Sequence, residues 1–237
     1  MSAFASWRAF YDSELQGLWA LLLVPALWLA WRLARGRSAA PGVHPPAAGF
    51  VDAWAVAFAI ETLLDPLATG PLARALGGSA PTLLGLAFVL LGDFRVFLLV
   101  AYLAGARGRL GPALREAALL TPVVPLVAFA AQKLLESARG PLPGQLLWLL
   151  HETAFLGMVA FLRRGVIAAR GASAPPALQG YLRALTAYVA AYYGLWALSD
   201  VLILSGAEWA WGLRVLPNQL YYAFFVPFAF ARFFPRS

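Results

Sequence analysis

The residues of this chain that could do chemistry are few, and most lie inside apolar runs. Asp93 and Arg95 stand two apart in Leu90-Leu91-Gly92-Asp93-Phe94-Arg95-Val96-Phe97, within a stretch apolar enough to cross a bilayer. Glu61 and Asp65 cut into a second such stretch, His151 and Glu152 into a third, and Asp200 and Asn218 border two more. An ionisable group at membrane depth costs roughly 2.5–3.5 kcal/mol on insertion scales, so each needs a partner or a use. Carboxylates there can carry protons or cations, and a guanidinium can hold an anion or pin an acid. The imidazole of His151, titrating near neutrality beside Glu152, could shuttle protons. Glu61, Asp93, Arg95, His151, Glu152, Asp200 and Asn218 are therefore the candidate pocket residues.

Other chemistries find little material. With no Cys there is no disulfide framework, no thiolate nucleophile and no Cys-based zinc or iron–sulfur site. One intramembrane histidine among carboxylates is poor in nitrogen for structural zinc, and no metal site is assigned. Walker loops, Gly-x-Ser-x-Gly elbows, His-Glu-x-x-His and GxGxxG are all missing, so no cofactor is indicated. Ser137, Ser199 and Ser205 offer hydroxyls without a neighbouring histidine in sequence. Gly92-Asp93 and Ser199-Asp200 resemble the membrane dipeptides of the lysoplasmalogenase-type family, which implies a lipid hydrolase. That likeness covers four residues, and the family's histidine-bearing fourth span has no counterpart in residues 117–135.

The elements that must position these residues follow from composition. Of 237 residues, 62% are hydrophobic and only 12% charged, and apolar runs of about 20 residues recur. This is an all-α, polytopic integral membrane protein. Seven spans are expected, at about 15–31, 50–65, 82–103, 117–135, 145–162, 181–204 and 212–234, forming one transmembrane domain. The first is not a removable signal peptide, because Arg32, Arg35 and Arg37 follow its apolar core while Asp12 and Glu14 precede it.

Loop charges orient the bundle. Arg32, Arg35, Arg37, Arg107, Arg109, Arg115, Arg163, Arg164, Arg170, Arg183, Arg232 and Arg236 fall on one side. Arg8, Arg74, Lys133, Arg139 and Arg214 fall on the other, and Arg95 stays in the membrane. The positive-inside rule then places the N-terminus outside and the C-terminus in the cytoplasm. The formal charge of +7 is explained by these loops and anionic lipid rather than by nucleic acid. A bacterial inner membrane is the expected location, lipid and a small polar solute or ion are the expected partners, and oligomerisation stays open.

Depth along each span places nearly every polar group at the centre or in the outer half, which predicts one outward-facing pocket. Asp65, Lys133, Glu136 and Asp200, near span ends, are expected to reach solvent by snorkelling. Glu61 and Asp65, four apart, share a helix face. Asp93 and Arg95 point about 200° apart around their helix and cannot pair. Arg95 must therefore meet an acid from another helix, with Glu61, Glu152 and Asp200 the candidates. Three functions fit: a transporter or channel-like protein for a small polar or ionic solute, with or without proton coupling; an intramembrane enzyme acting on lipid from the outer leaflet; or a receptor or assembly subunit whose buried charges hold helices together.

Overall fold

In lipid a segment must satisfy its own backbone N–H and C=O groups, which a helix does within itself. The computed structural model, which describes residues 6–35, 45–105, 109–170 and 174–234, is helical throughout, with no strand among the described residues. Arg37, His44, Arg107 and Arg236 lie outside them. A short helix α1 (Trp7–Tyr11) precedes α2 (Leu15–Ala34), α3 (Ala47–Leu76), α4 (Ala80–Ala104), α5 (Leu110–Arg139), α6 (Gly144–Arg170) and α7 (Pro176–Leu204). The six from α2 to α7 are long and apolar enough to cross a membrane. A further unbroken helix, α8 (residues 210–233), does not meet that standard. Arg214, Asn218, Gln219, Tyr221 and Tyr222 dilute its apolar content. Six helices thus qualify where seven are expected, and the polar first half of α8 makes the difference.

Breaks and turns follow local chemistry. Pro122 cannot donate a backbone hydrogen bond, and α5 is interrupted there, between Leu110–Leu120 and Val123–Arg139. Gly77 and Gly78, at φ 64° and 57°, reverse the chain between α3 and α4, a left-handed pair that side chains would strain. Residues 219–224 of α8, between Pro217 and Pro227, widen into a π-type turn that releases carbonyls from the helical ladder. Side chains take them up. The Leu220 carbonyl accepts from Tyr188 Oη at 3.0 Å, and the Tyr221 carbonyl accepts from Arg95 Nη2 at 2.9 Å.

The helices pack so that α3 touches α2, α4 and α8, while α5 joins α4 to α6 and α7 joins α6 to α8. One half of the bundle is a packed apolar and aromatic core. Phe97 of α4 stacks on Phe155 of α6 at 5.4 Å, and Phe155 stacks on Tyr193 of α7 at 4.0 Å. Val96, Leu99, Leu185, Val189 and Phe225 fill the space around them. Leu23, Leu27, Leu126, Phe129, Leu134, Leu198 and Val201 stay exposed, a surface suited to lipid rather than water. Between lipid-solvated helices, close packing and hydrogen bonding replace the hydrophobic effect as the cohesive forces.

One polar contact lies in the half expected to be almost purely apolar. Arg32, assigned to the loop charges, is buried at the end of α2 against Asp52 of α3. The two sequence positions carry no sign of this, because the pairing depends on how the helices meet.

Candidate functional site

A cavity of about 390 Å³ occupies the half of the bundle nearest α1 and the α3–α4, α5–α6 and α7–α8 turns. Its acidic and basic walls are Asp65 of α3, Asp93 of α4, His151 and Glu152 of α6 and Arg214 of α8. Its aromatic walls are Tyr11, Phe88, Trp148, Tyr193, Trp196, Trp211, Tyr221 and Tyr222. Asp93 is the fourteenth residue of the 25-residue α4, so the cavity reaches mid-helix.

Asp93 is 1% exposed and forms the deepest charged wall. Its Oδ1 accepts a hydrogen bond from Tyr193 Oη at 2.7 Å. Its Oδ2 has no hydrogen-bond partner, and His151 Nε2 stands 3.6 Å from it, an ion-pair distance if the imidazole is protonated. An unsatisfied carboxylate oxygen in such a place costs free energy that only a proton, water or ligand can recover.

Arg214 is the second centre. Its Nη1 binds Asp200, its Nη2 lies 3.6 Å from Glu152 Oε1, and its Nε donates to Tyr11 Oη at 3.2 Å. Asn218, one turn further on, donates to the same Tyr11 oxygen at 3.3 Å and accepts from Trp196 Nε1 at 2.8 Å. This network ties α1, α6, α7 and α8 together at the mouth of the cavity. Glu152 also stands within hydrogen-bond reach of the Asp200 carboxyl.

Arg95 faces away from Asp93, as their spacing requires, and does not line the cavity. Its Nη1 meets Glu61 Oε2 at 3.5 Å and Thr62 Oγ1 at 3.0 Å, both from α3. The guanidinium also lies over the ring of Tyr221, 4.1 Å from its centroid. It acts as a strut behind the cavity wall, joining α3, α4 and α8.

The seven expected pocket residues therefore divide. Asp93, His151, Glu152 and Asn218 line the cavity, whereas Glu61, Arg95 and Asp200 support it from behind. Asp65 and Asp200 are buried, contrary to the expectation that they reach solvent, because α8 and its tyrosines cover that end of the bundle. Lys133 and Glu136 do pair near the surface of α5, at 2.7 Å. Arg214, expected among the loop charges, belongs to the site. A signal for it existed in the sequence, since it stands one turn before Asn218 on an amphipathic stretch, but the charge pattern drew it outward. Tyr11 gave no such signal.

Five carboxyl groups, of Glu61, Asp65, Asp93, Glu152 and Asp200, share this half of the bundle with two guanidiniums and one imidazole. Uncompensated buried charge is costly, so the acid surplus calls for protons or a cationic ligand. Among the described residues, no group of three His, Asp or Glu is placed to hold a metal ion. No family model, curated protein or solved structure matches the chain.

Proposed function

We propose that this chain is a seven-helix carrier of a small polar or ionic solute in a cell membrane, taking the solute from outside into the cavity and moving it across. The observation that carries this reading is Asp93: buried, half-unpartnered, and set at the floor of a cavity that penetrates to mid-helix. Buried ionisable groups that face a cavity at membrane depth are the usual mark of a solute or ion path. In this reading α8 is the seventh crossing, its polar half facing the cavity instead of lipid. With Arg32 and Arg214 each withdrawn into an ion pair, the loop charges keep the same excess on one side, which favours an outer N-terminus and a cytoplasmic C-terminus. The stack of Phe97, Phe155 and Tyr193 closes the path beyond Asp93, as one state of an alternating-access cycle requires. The acid surplus suits coupling to protons or cations.

The test is flux into proteoliposomes with a panel of labelled sugars, carboxylates, amines, amino acids and inorganic cations. Uptake of one class, lost in Asp93→Asn, supports the carrier. No uptake of any class, or uptake unchanged in both Asp93→Asn and Glu152→Gln, overturns it.

A second reading is an intramembrane enzyme acting on lipid, favoured by one observation: His151 and Asp93 face each other at 3.6 Å on the cavity wall. Such a pair could activate water as a general base. Ser199 is no nucleophile here, since its hydroxyl donates to the Leu195 carbonyl and it does not line the cavity. Turnover of a lipid extract by purified protein, abolished in His151→Gln, would establish this reading in place of transport.

A further inference from the structure

The cavity discriminates among solutes by what its walls have left unsatisfied. Asp93, which lines it, keeps a buried carboxylate oxygen, Oδ2, that accepts no hydrogen bond, whereas the Glu152 carboxyl is paired with that of Asp200. The cation nearest the mouth is already engaged, because Arg214 directs Nη1 to Asp200, Nε to Tyr11 and Nη2 toward Glu152. A carboxylate or phosphate solute would thus meet surplus acid and no free guanidinium. A neutral polyol would leave the acid uncompensated. A bare metal ion would lack a ligand set, since the described residues hold no group of three.

What fits is a cation that also donates N–H bonds. Aromatic rings line the same cavity: Tyr193 bonds the other oxygen of Asp93, Trp196 lies edge-on to Tyr193 with centroids 5.5 Å apart, and Tyr221 lies 5.2 Å from Trp196. The rings of Tyr193 and Trp196 can hold the charge of an ammonium, and Tyr221, one face of which carries Arg95, can pack against the carbon skeleton. The volume, about 390 Å³, is near the small end for ligand sites.

We infer that the cavity is a binding site for a small primary or secondary amine, held as its ammonium by N–H donation to Asp93 and by contact with Tyr193, Trp196 and Tyr221. This rests on the reading that the cavity takes a solute, and it names the class. A quaternary ammonium would satisfy the rings but not the orphan oxygen.

The test is binding to the purified full chain in nanodiscs, read by quenching of its tryptophan fluorescence, three of whose sources line the cavity. The probes are methylamine, butylamine, 2-phenylethylamine, its N,N,N-trimethyl derivative, 2-phenylethanol and 3-phenylpropionate. Saturable binding is expected for at least one primary amine. For 2-phenylethylamine we expect affinity about tenfold or more above the trimethyl compound, the worth of a charge-assisted hydrogen bond, and no saturation with the alcohol or the acid. Asp93→Asn should weaken amine binding by at least as much. Because the probe series is read on the unaltered protein, it decides the matter even if Asp93→Asn does not fold. Failure of every primary amine to bind, or equal binding of the alcohol or the acid, overturns the inference. Failure of flux with amine binding intact removes the carrier and leaves the amine site standing. Asp93-dependent flux of a solute without an amine does the reverse.

Discussion

A Cβ added at Gly92 would stand 1.5 Å from the hydroxyl oxygen of Tyr221. The tyrosine of α8 thus rests against the α4 backbone one residue before Asp93, in a notch that only glycine leaves open. Its ring carries the Arg95 guanidinium and its carbonyl accepts from it, so this single contact sets the spacing between strut and cavity floor.

Gly92→Ala should therefore be destabilising by about 1–3 kcal/mol, the usual range for overpacking. Thermal unfolding in detergent measures it. Gly194→Ala, which would meet nothing within 4 Å, should be close to neutral in the same assay and serves as the control.

Arg95→Met should cost about 3–5 kcal/mol, because it strands Glu61 and the Tyr221 carbonyl in a buried setting. Adding Glu61→Gln should restore part of that loss, since the stranded acid is what makes a broken ion pair expensive. A double variant no more stable than Arg95→Met alone would mean that Glu61 contributes nothing to the strut.

Glu152 and Asp200 converge on Arg214, one in direct contact and the other 3.6 Å away. Either acid alone can neutralise the guanidinium after a small side-chain movement. Asp200→Asn and Glu152→Gln should each be tolerated, whereas the combination should lose about 0.5–3 kcal/mol more than the two single losses added. A double-mutant cycle by thermal unfolding reads this coupling directly.

Tyr11 accepts from both Arg214 Nε and Asn218 Nδ2, and so pins α1 across the mouth of the cavity. Tyr11→Phe should lower stability by about 1–2 kcal/mol for the two lost hydrogen bonds. Amide exchange should rise over residues 6–14 and 210–218, with little change in the core around Phe97 and Phe155. Unchanged exchange at α1 would show that other contacts hold it.

Much of the architecture was legible in the amino-acid order. Six apolar runs coincide with the six helices able to cross a membrane, because lipid leaves the backbone no other way to satisfy itself. The spacing of Asp93 and Arg95 decided that they face opposite ways, since each residue advances about 100° around a helix. It also decided that Arg95 must reach another helix for its acid. Position along each helix was legible as well, from a rise of about 1.5 Å per residue, and it named Asp93, His151, Glu152 and Asn218 among the residues that line the cavity.

The tertiary structure decided which acid Arg95 meets, and that Glu61, Arg95 and Asp200 stand behind the cavity rather than in it. It also drew Arg214 and Asp65 inward and laid Tyr11 over Arg214. Depth belongs to a single helix and can be counted. The rotation of each helix about its axis does not, because it is set by packing with its neighbours, by the notch at Gly92 and by the widened turn at residues 219–224. The candidate site lives in those rotations.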